Sequence, residues 1–230
     1  MLKSVIIPCY NESKTISKVL SLVKDNLNSE DNIIVVDDGS SDGTYDILSK
    51  YSNDNQIEIY KHDKNSGKGS AIQTALKGKL NDIVIIQDAD LEYDPGEYHK
   101  LILPFLETNA DIVYGSRFLG SSKYSRIHYF WHFVANKILT FICNVFTNLN
   151  MTDMETGYKV FKKDVIKSIN LKERSFGIEP EITIKLAKKK FIFYEVPISY
   201  AGRSYEEGKK IGLKDAFRAL YCIVNYYFRD

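Results

Sequence analysis

The chain has no cysteine pattern, no long apolar run and no large excess of either charge. Its three cysteines, Cys9, Cys143 and Cys222, lie far apart without a CxxC pair. That excludes a disulfide framework and a cysteine metal site, and suits a reducing compartment. The opening MLKSVIIPCYNE holds only a short apolar run that stops at Pro8, so no signal peptide is expected. The aromatic stretch RIHYFWHFVANKILTFICNVFTNLN is interrupted by His132, Asn136, Lys137 and Asn144. It falls short of the roughly 20 apolar residues a spanning helix needs. Low-complexity segments, internal repeats and a clear linker are absent. Neither GSSDGT (39–44) nor NSGKGSA (65–71) fits the Walker pattern or the G-x-G-x-x-G dinucleotide fingerprint. Gly39 and Gly43 read as turn and cap residues, which disfavours a P-loop NTPase.

What remains is an ordinary globular composition, 44% apolar and 27% charged over 230 residues, expected to fold as one domain over 1–230. The net charge of +1 hides a division. Residues 1–120 carry 12 Lys+Arg against 19 Asp+Glu, while residues 121–230 carry 19 against 11. An acidic half that holds a metal and a basic half that holds phosphates is one reading; solvated helix faces are the other.

The first half alternates β-rich runs with helical patterns. Strands are expected at 3–8, 32–38, 56–62, 82–88 and 110–116, with helices at 13–27, 41–51, 67–80 and 95–107 between them. Such alternation implies an α/β fold with a mainly parallel sheet flanked by helices on both faces. Ligands in such sheets bind outside the carboxyl ends of the strands. VVDD and IIQDAD place Asp37, Asp38, Asp88 and Asp90 there. The second half adds two aromatic, amphipathic C-terminal stretches, 126–150 and LKDAFRALYCIVNYYFRD. Each suits either core packing, a dimer face, or a membrane interface with aromatic rings at headgroup level.

Two carboxylates separated by one small residue, as in DAD, can hold a hard divalent cation with positions left for phosphate oxygens. The chemistry served is stabilisation of a departing diphosphate; the plainer reading is solvated turn acids before Pro95. His62, His99, His128 and His132 show no helical metal pair in an acidic setting, and read as packing or surface residues.

VIIPCYNES, IIVVDDGSSDGT, NSGKGSAI, DIVIIQDADLEYDP and DIVYGSRF, in this order, resemble the inverting family 2 glycosyltransferases of GT-A fold. TDMETGYKVFKKDVI, FGIEPEITIKLAK and EVPISYAGRSYEEGKKIGLKDAF are similar to the subgroup that loads a sugar onto a polyprenyl phosphate. The similarity runs over residues 3–220. It implies a nucleotide-sugar-binding half (1–120) and an acceptor-facing, membrane-facing half (121–230). Pro8, Tyr10, Glu12, Asp37 and Asp38 would meet the base and ribose. Asp88, Asp90 and Glu92 would hold Mg²⁺ or Mn²⁺ at the donor diphosphate, with Ala89 beside the nucleotide and Lys68 near its phosphates. Arg117 would meet the acceptor phosphate, with Arg126, while Arg203 and Lys209 would clasp the donor diphosphate.

The residue chemistry agrees with such an acceptor. A phosphate monoester is largely ionised at neutral pH, so it needs cations around it rather than a strong base. A hydroxyl acceptor would need a carboxylate base; Asp153 is the best candidate for that role or for orienting the acceptor, with Glu179 and Glu181 as second choices. The expectation is a metal-dependent hexosyltransferase at the cytoplasmic face of a membrane, held by its own helices or a membrane partner protein. Nucleic acid is not an expected partner, and oligomerisation is left open. The alternatives are the same fold acting on a glycan hydroxyl, a silent nucleotide-sugar-binding or membrane-binding subunit, and a nucleotidyltransferase.

Overall fold

The computed structural model describes residues 1–120, 129–203 and 213–229. Among them are seven strands: β1 (Lys3–Cys9), β2 (Asn32–Asp37), β3 (Ile57–Lys61), β4 (Ile83–Ile86), β5 (Ile112–Ser116), β6 (Lys159–Lys162) and β7 (Phe193–Pro197). The α-helices are α1 (Ile16–Asp25), α2 (Thr44–Leu48), α3 (Lys68–Ala75), α4 (Tyr98–Glu107), α5 (Phe130–Thr147), α6 (Lys163–Lys167), α7 (Ile178–Lys188) and α8 (Leu213–Arg229). They build one sheet in the order β3-β2-β1-β4-β6-β5-β7, a mostly parallel α/β architecture as expected.

The apolar strand runs follow from burial on both faces. Val5, Ile7 and Cys9 of β1 point into a core shared with Ile16, Val19, Leu20 and Val23 of α1 and Leu101 of α4. Those α1 positions repeat at three- and four-residue intervals and form a single stripe. Ile6 points the other way, into the core with Ala71 and Ile72 of α3 and Ile178 and Ile182 of α7.

Two features of the topology place the site. The chain runs from β1 to β2 and β3 on one side, then returns to lay β4 on the other side of β1. The crevice at such a switch point lies between the carboxyl ends of β1 and β4. β6 then pairs antiparallel with both β4 and β5, so its first residues lie beside the end of β4. β6, β7 and α7 were not expected from the apolar patterning. β6 is only four residues long, and α7 is buried from Ile178 to Leu186, so neither shows a clear period.

β4 ends at Ile86, two residues before its expected end, and Asp88 and Asp90 stand in the loop beyond it. Leu91 takes the left-handed φ of 65°, uncommon for such a side chain. The turn brings the Glu92 amide to Asp90 Oδ1 at 3.1 Å.

α5 and α8 each bury one face in the core, α8 through Ala219, Cys222, Ile223 and Tyr226, and expose the other. α5 buries Leu139, Thr140 and Cys143 but leaves Trp131 76% and Phe141 67% exposed, and on α8 Phe217 is 73% exposed. The two helices touch through Phe146, Tyr227 and Phe228. Among the described residues no helix is long and apolar enough to cross a membrane.

Candidate active site

Four chain segments converge at the crevice: those after β1, after β4, before β6 and after β7. Thr15 ties the first two together, its hydroxyl donating to the Ala89 carbonyl at 2.7 Å and lying 3.0 Å from Glu12 Oε2. The segment before β6 lies so close that a Cβ at Gly157 would overlap the Asp88 carboxylate and the Tyr93 ring. The Gly157 amide donates to the Tyr93 hydroxyl at 2.8 Å. After β7 the chain passes beside Glu92, with the Ala201 amide on its carbonyl and the Arg203 amide on its carboxylate.

The acids collect on cations. Asp88 Oδ1 is 2.7 Å from Lys68 Nζ, and Asp90 Oδ2 is 2.8 Å from Arg203 Nη2. Arg203 also reaches Glu12 at 3.2 Å and Glu92 at 3.4 Å, and Tyr200 donates to Glu92 at 2.6 Å. Burial, with the carboxylates of Asp88 and Glu92 beside it, pushes Asp90 up to about 7 against the pull of Arg203. The cluster is therefore short of positive charge, and its donor atoms are hard carboxylate oxygens of the kind that Mg²⁺ and Mn²⁺ prefer. Asp88, Asp90 and Glu92 fit such a cation chemically. Among the described residues, no three acidic, His or Cys side chains are already arranged around a common metal position.

Arg117 and Asp153 form a second centre. Arg117 donates to Asp153 from its backbone amide (3.0 Å), from Nε (2.7 Å) and from Nη2 (2.7 Å), the last two as a fork onto both oxygens. Its guanidinium lies 5.1 Å from the centre of the Tyr200 ring. Burial alone would raise Asp153, but Arg117 outweighs it and holds the carboxyl below the usual range. A carboxylate so held is a weak base. Arg126 and Lys209 lie outside the described residues.

The other donor-side residues take several positions. Pro8 lies within β1 opposite Val36, and Tyr10 follows the strand half-buried. Asp37 is buried, and its Oδ2 has no hydrogen-bond partner among the described residues. Asp38 holds the chain itself: it pairs with His62 Nδ1 at 2.6 Å and accepts from the amides of Ser66 and Gly67. At Gly67 (φ 97°) the close backbone approach comes from the chain's own Arg174 carbonyl.

Two buried groups, Lys159 and Glu179, and the partly buried Glu155 escaped the sequence reading or were left at its margin. Lys159 stands between Tyr158 and Val160, and Glu155 and Glu179 each lie two residues from another acid, a weak signal until long-range contacts are known. Lys159 is fully buried, and Glu179 lies between it and Lys68. Among the described residues, Glu155 Oε1 has no hydrogen-bond partner. Burial, aided by Glu179 and Asp153 and opposed by Lys159 and Arg117, pushes Glu155 up to about 7. Its ordinary value is 4.5, so the fold loses stability as pH rises from about 4.5 to about 7. Glu155→Gln should therefore raise the melting temperature at pH 8, by about 1–3 kcal/mol of stability, and change little at pH 4. Thermal melts at the two pH values check this, and a variant that melts lower at pH 8 would contradict it.

Residues 4–169 match the family model described as glycosyl transferase family 2. The chain is 29% identical over 238 residues to the UDP-N-acetylglucosamine–dolichyl-phosphate N-acetylglucosaminyltransferase of Methanococcus voltae, covering 96% of this chain and 94% of that protein. It is 28% identical over 229 residues to the dolichol-phosphate mannosyltransferase of Pyrococcus furiosus, covering 97% of this chain and 64% of that protein. The glucosyl-3-phosphoglycerate synthase of Mycobacterium tuberculosis, solved with Mn²⁺, UDP and phosphoglyceric acid, superimposes with a TM-score of 0.75. At 18% identity, over 99% of this chain and 78% of that one, the likeness establishes a GT-A-like fold.

Proposed function

The chain belongs to glycosyl transferase family 2, and from that premise we propose that it moves a hexose from a nucleotide-diphosphate sugar to a polyprenyl phosphate. The observation that carries the acceptor class is Arg117, its side chain 12% exposed and fixed by both oxygens of Asp153. A fixed guanidinium suits a phosphate acceptor, whereas a hydroxyl acceptor would need a free base, and Asp153 is committed to Arg117. Both named dolichyl-phosphate relatives support the same class.

In this reading an acceptor phosphate oxygen attacks the anomeric carbon, the bond from that carbon to the nucleotide diphosphate breaks, and the nucleoside diphosphate leaves. Arg117 holds the acceptor phosphate, and Asp153 holds Arg117. Glu12, Tyr10 and Asp37 receive the base and ribose, and Arg203 offsets charge on the leaving diphosphate. Asp88, Asp90 and Glu92 would hold Mg²⁺ or Mn²⁺, which supplies Lewis-acid stabilisation to the same leaving group. The exposed aromatic residues of α5 and α8 support work at a lipid surface, where a polyprenyl carrier resides.

The test is a donor screen of GDP-mannose, UDP-glucose and UDP-N-acetylglucosamine against a short polyprenyl phosphate with Mg²⁺ or Mn²⁺, read by mass. One donor should give an acid-labile sugar-phosphate product, and chelator should abolish it. An acid-stable glycoside formed on a glycan acceptor would favour the hydroxyl reading.

A further inference from the structure

A line of alternating charge runs from the interior to the acids after β4. Lys159 Nζ donates to the Met154 and Thr156 carbonyls at 2.8 and 2.5 Å, and lies 2.7 Å from Glu179 Oε2. The other Glu179 oxygen is 3.0 Å from Lys68 Nζ, which in turn is 2.7 Å from Asp88 Oδ1. Glu179 opens α7 and is 4% exposed. Its two partners, Lys68 and Lys159, come from distant parts of the chain, and such pairing offsets the cost of burying a carboxylate. Lys68 therefore divides its charge between two carboxylates.

We infer that Glu179 is a positioning residue for Asp88: by taking a share of Lys68, it keeps Asp88 available to a divalent cation and discourages the donor diphosphate from binding without one. The inference deepens the nucleotide-diphosphate reading and rests on it. Among the described residues of this cluster, Lys68, Lys159 and Arg203 face Glu12, Asp88, Asp90, Glu92 and Glu179. With all of them ionised, these ion-paired residues are two positive charges short, the deficit one divalent cation fills; Glu155, beside Lys159 and Glu179, adds a further negative charge when ionised. Neutralising Glu179 halves the deficit and commits Lys68 to Asp88. A cation then meets a competitor, while a bare diphosphate meets less repulsion.

These opposite signs separate positioning from simple damage. Calorimetric titration of the full chain with GDP and with UDP, in EDTA and in Mn²⁺, reads both. Glu179→Gln should bind the nucleotide about tenfold more tightly in EDTA, and the gain on adding Mn²⁺ should shrink by about tenfold or more. Glu179→Asp, which keeps the charge, should behave as wild type. Lys159→Met leaves Glu179 to Lys68 alone and should shift both quantities the other way. If Glu179→Gln weakens binding in both media, or changes neither, the inference is overturned. Should that variant fail to fold, the signs for Lys159→Met decide alone. A wild-type chain that binds neither nucleotide in either medium overturns the donor reading, and the inference with it. Wild-type binding with unshifted variants overturns the inference only.

Discussion

Asp90→Asn is expected to lower sugar transfer by about a thousandfold or more and, in chelator, to raise the melting temperature at pH 8. The two effects share one cause. Asp90 is largely shielded from water beside Asp88 and Glu92, and among the described residues Arg203 and the Glu92 amide relieve the crowding. Its ordinary value of 3.8 is displaced to about 7. A carboxyl raised in the fold binds its proton more tightly there than in the unfolded chain, so stability falls as pH climbs from about 4 to about 7. Above that range the cation-free protein bears the full cost, on the order of 1–3 kcal/mol, which corresponds to several degrees for a chain of this size. Asparagine removes the cost and also the anion that would face a divalent cation. Arg203 retains Glu12 and Glu92. Melting curves at pH 4 and pH 8, with EDTA and with Mn²⁺, together with an initial-rate assay, test both halves. Mn²⁺ should raise the melting point of the wild type far more than that of the variant. If Asp90→Asn melts lower than wild type at pH 8 in EDTA, the charge-crowding account fails. Such a trade of stability against activity is common where a site is built from like charges.

Arg117 calls for a different design, because its removal damages two things at once. Arg117→Ala would leave Asp153 ionised and buried without its fork, a loss of about 3–5 kcal/mol that would obscure any kinetic effect. Arg117→Lys keeps the charge but cannot bind both carboxylate oxygens and a phosphate in one plane. It should lower kcat/KM for the polyprenyl phosphate by about 10–100-fold, while the donor KM stays within about twofold. Titration of acceptor at saturating donor, and the reverse, separates the two. Equal rises in both KM values would move Arg117 out of the acceptor site and into general support of the crevice. Asp153→Asn should lower acceptor efficiency in the same direction, because the amide cannot accept both guanidinium bonds. A pH profile without a new acidic limb would agree with a positioning rather than a proton-accepting Asp153.

The glycosyltransferase reading was legible in local runs. Continuous apolar segments such as NIIVVD became strands covered on both faces, and the three-and-four spacing of Ile16, Val19, Leu20 and Val23 became the buried stripe of α1. DAD stood where a buried strand gives out, although β4 stops two residues before Asp88. What could not be read locally lay in the second half. α7 is buried on every side over Ile178–Leu186, so it carries no amphipathic rhythm. β6 is too short to show alternation and draws its identity from β4 and β5 on either side.

Side-chain pairing set a further limit. The ion pair between Glu12 and Arg203 joins residues 191 positions apart, and Lys68 meets Glu179 from the other half of the chain. Charge counts by segment showed an acidic and a basic half, but not which acid would meet which base. Asp38 shows a pairing that no motif carries: its carboxylate holds His62 and the Ser66–Gly67 amides.

From sequence alone come the strand and helix alternation, the acids beyond β4 and the family, because each depends on neighbours within a dozen residues or on motifs in a set order. Only the assembled sheet decided that β6 runs backwards to bring Gly157 and Lys159 to the acids, that Asp153 is bound to Arg117, and that Lys68 is shared with Glu179. Electrostatic partners are chosen by distance and burial in three dimensions, and neither quantity is carried by the order of residues along the chain.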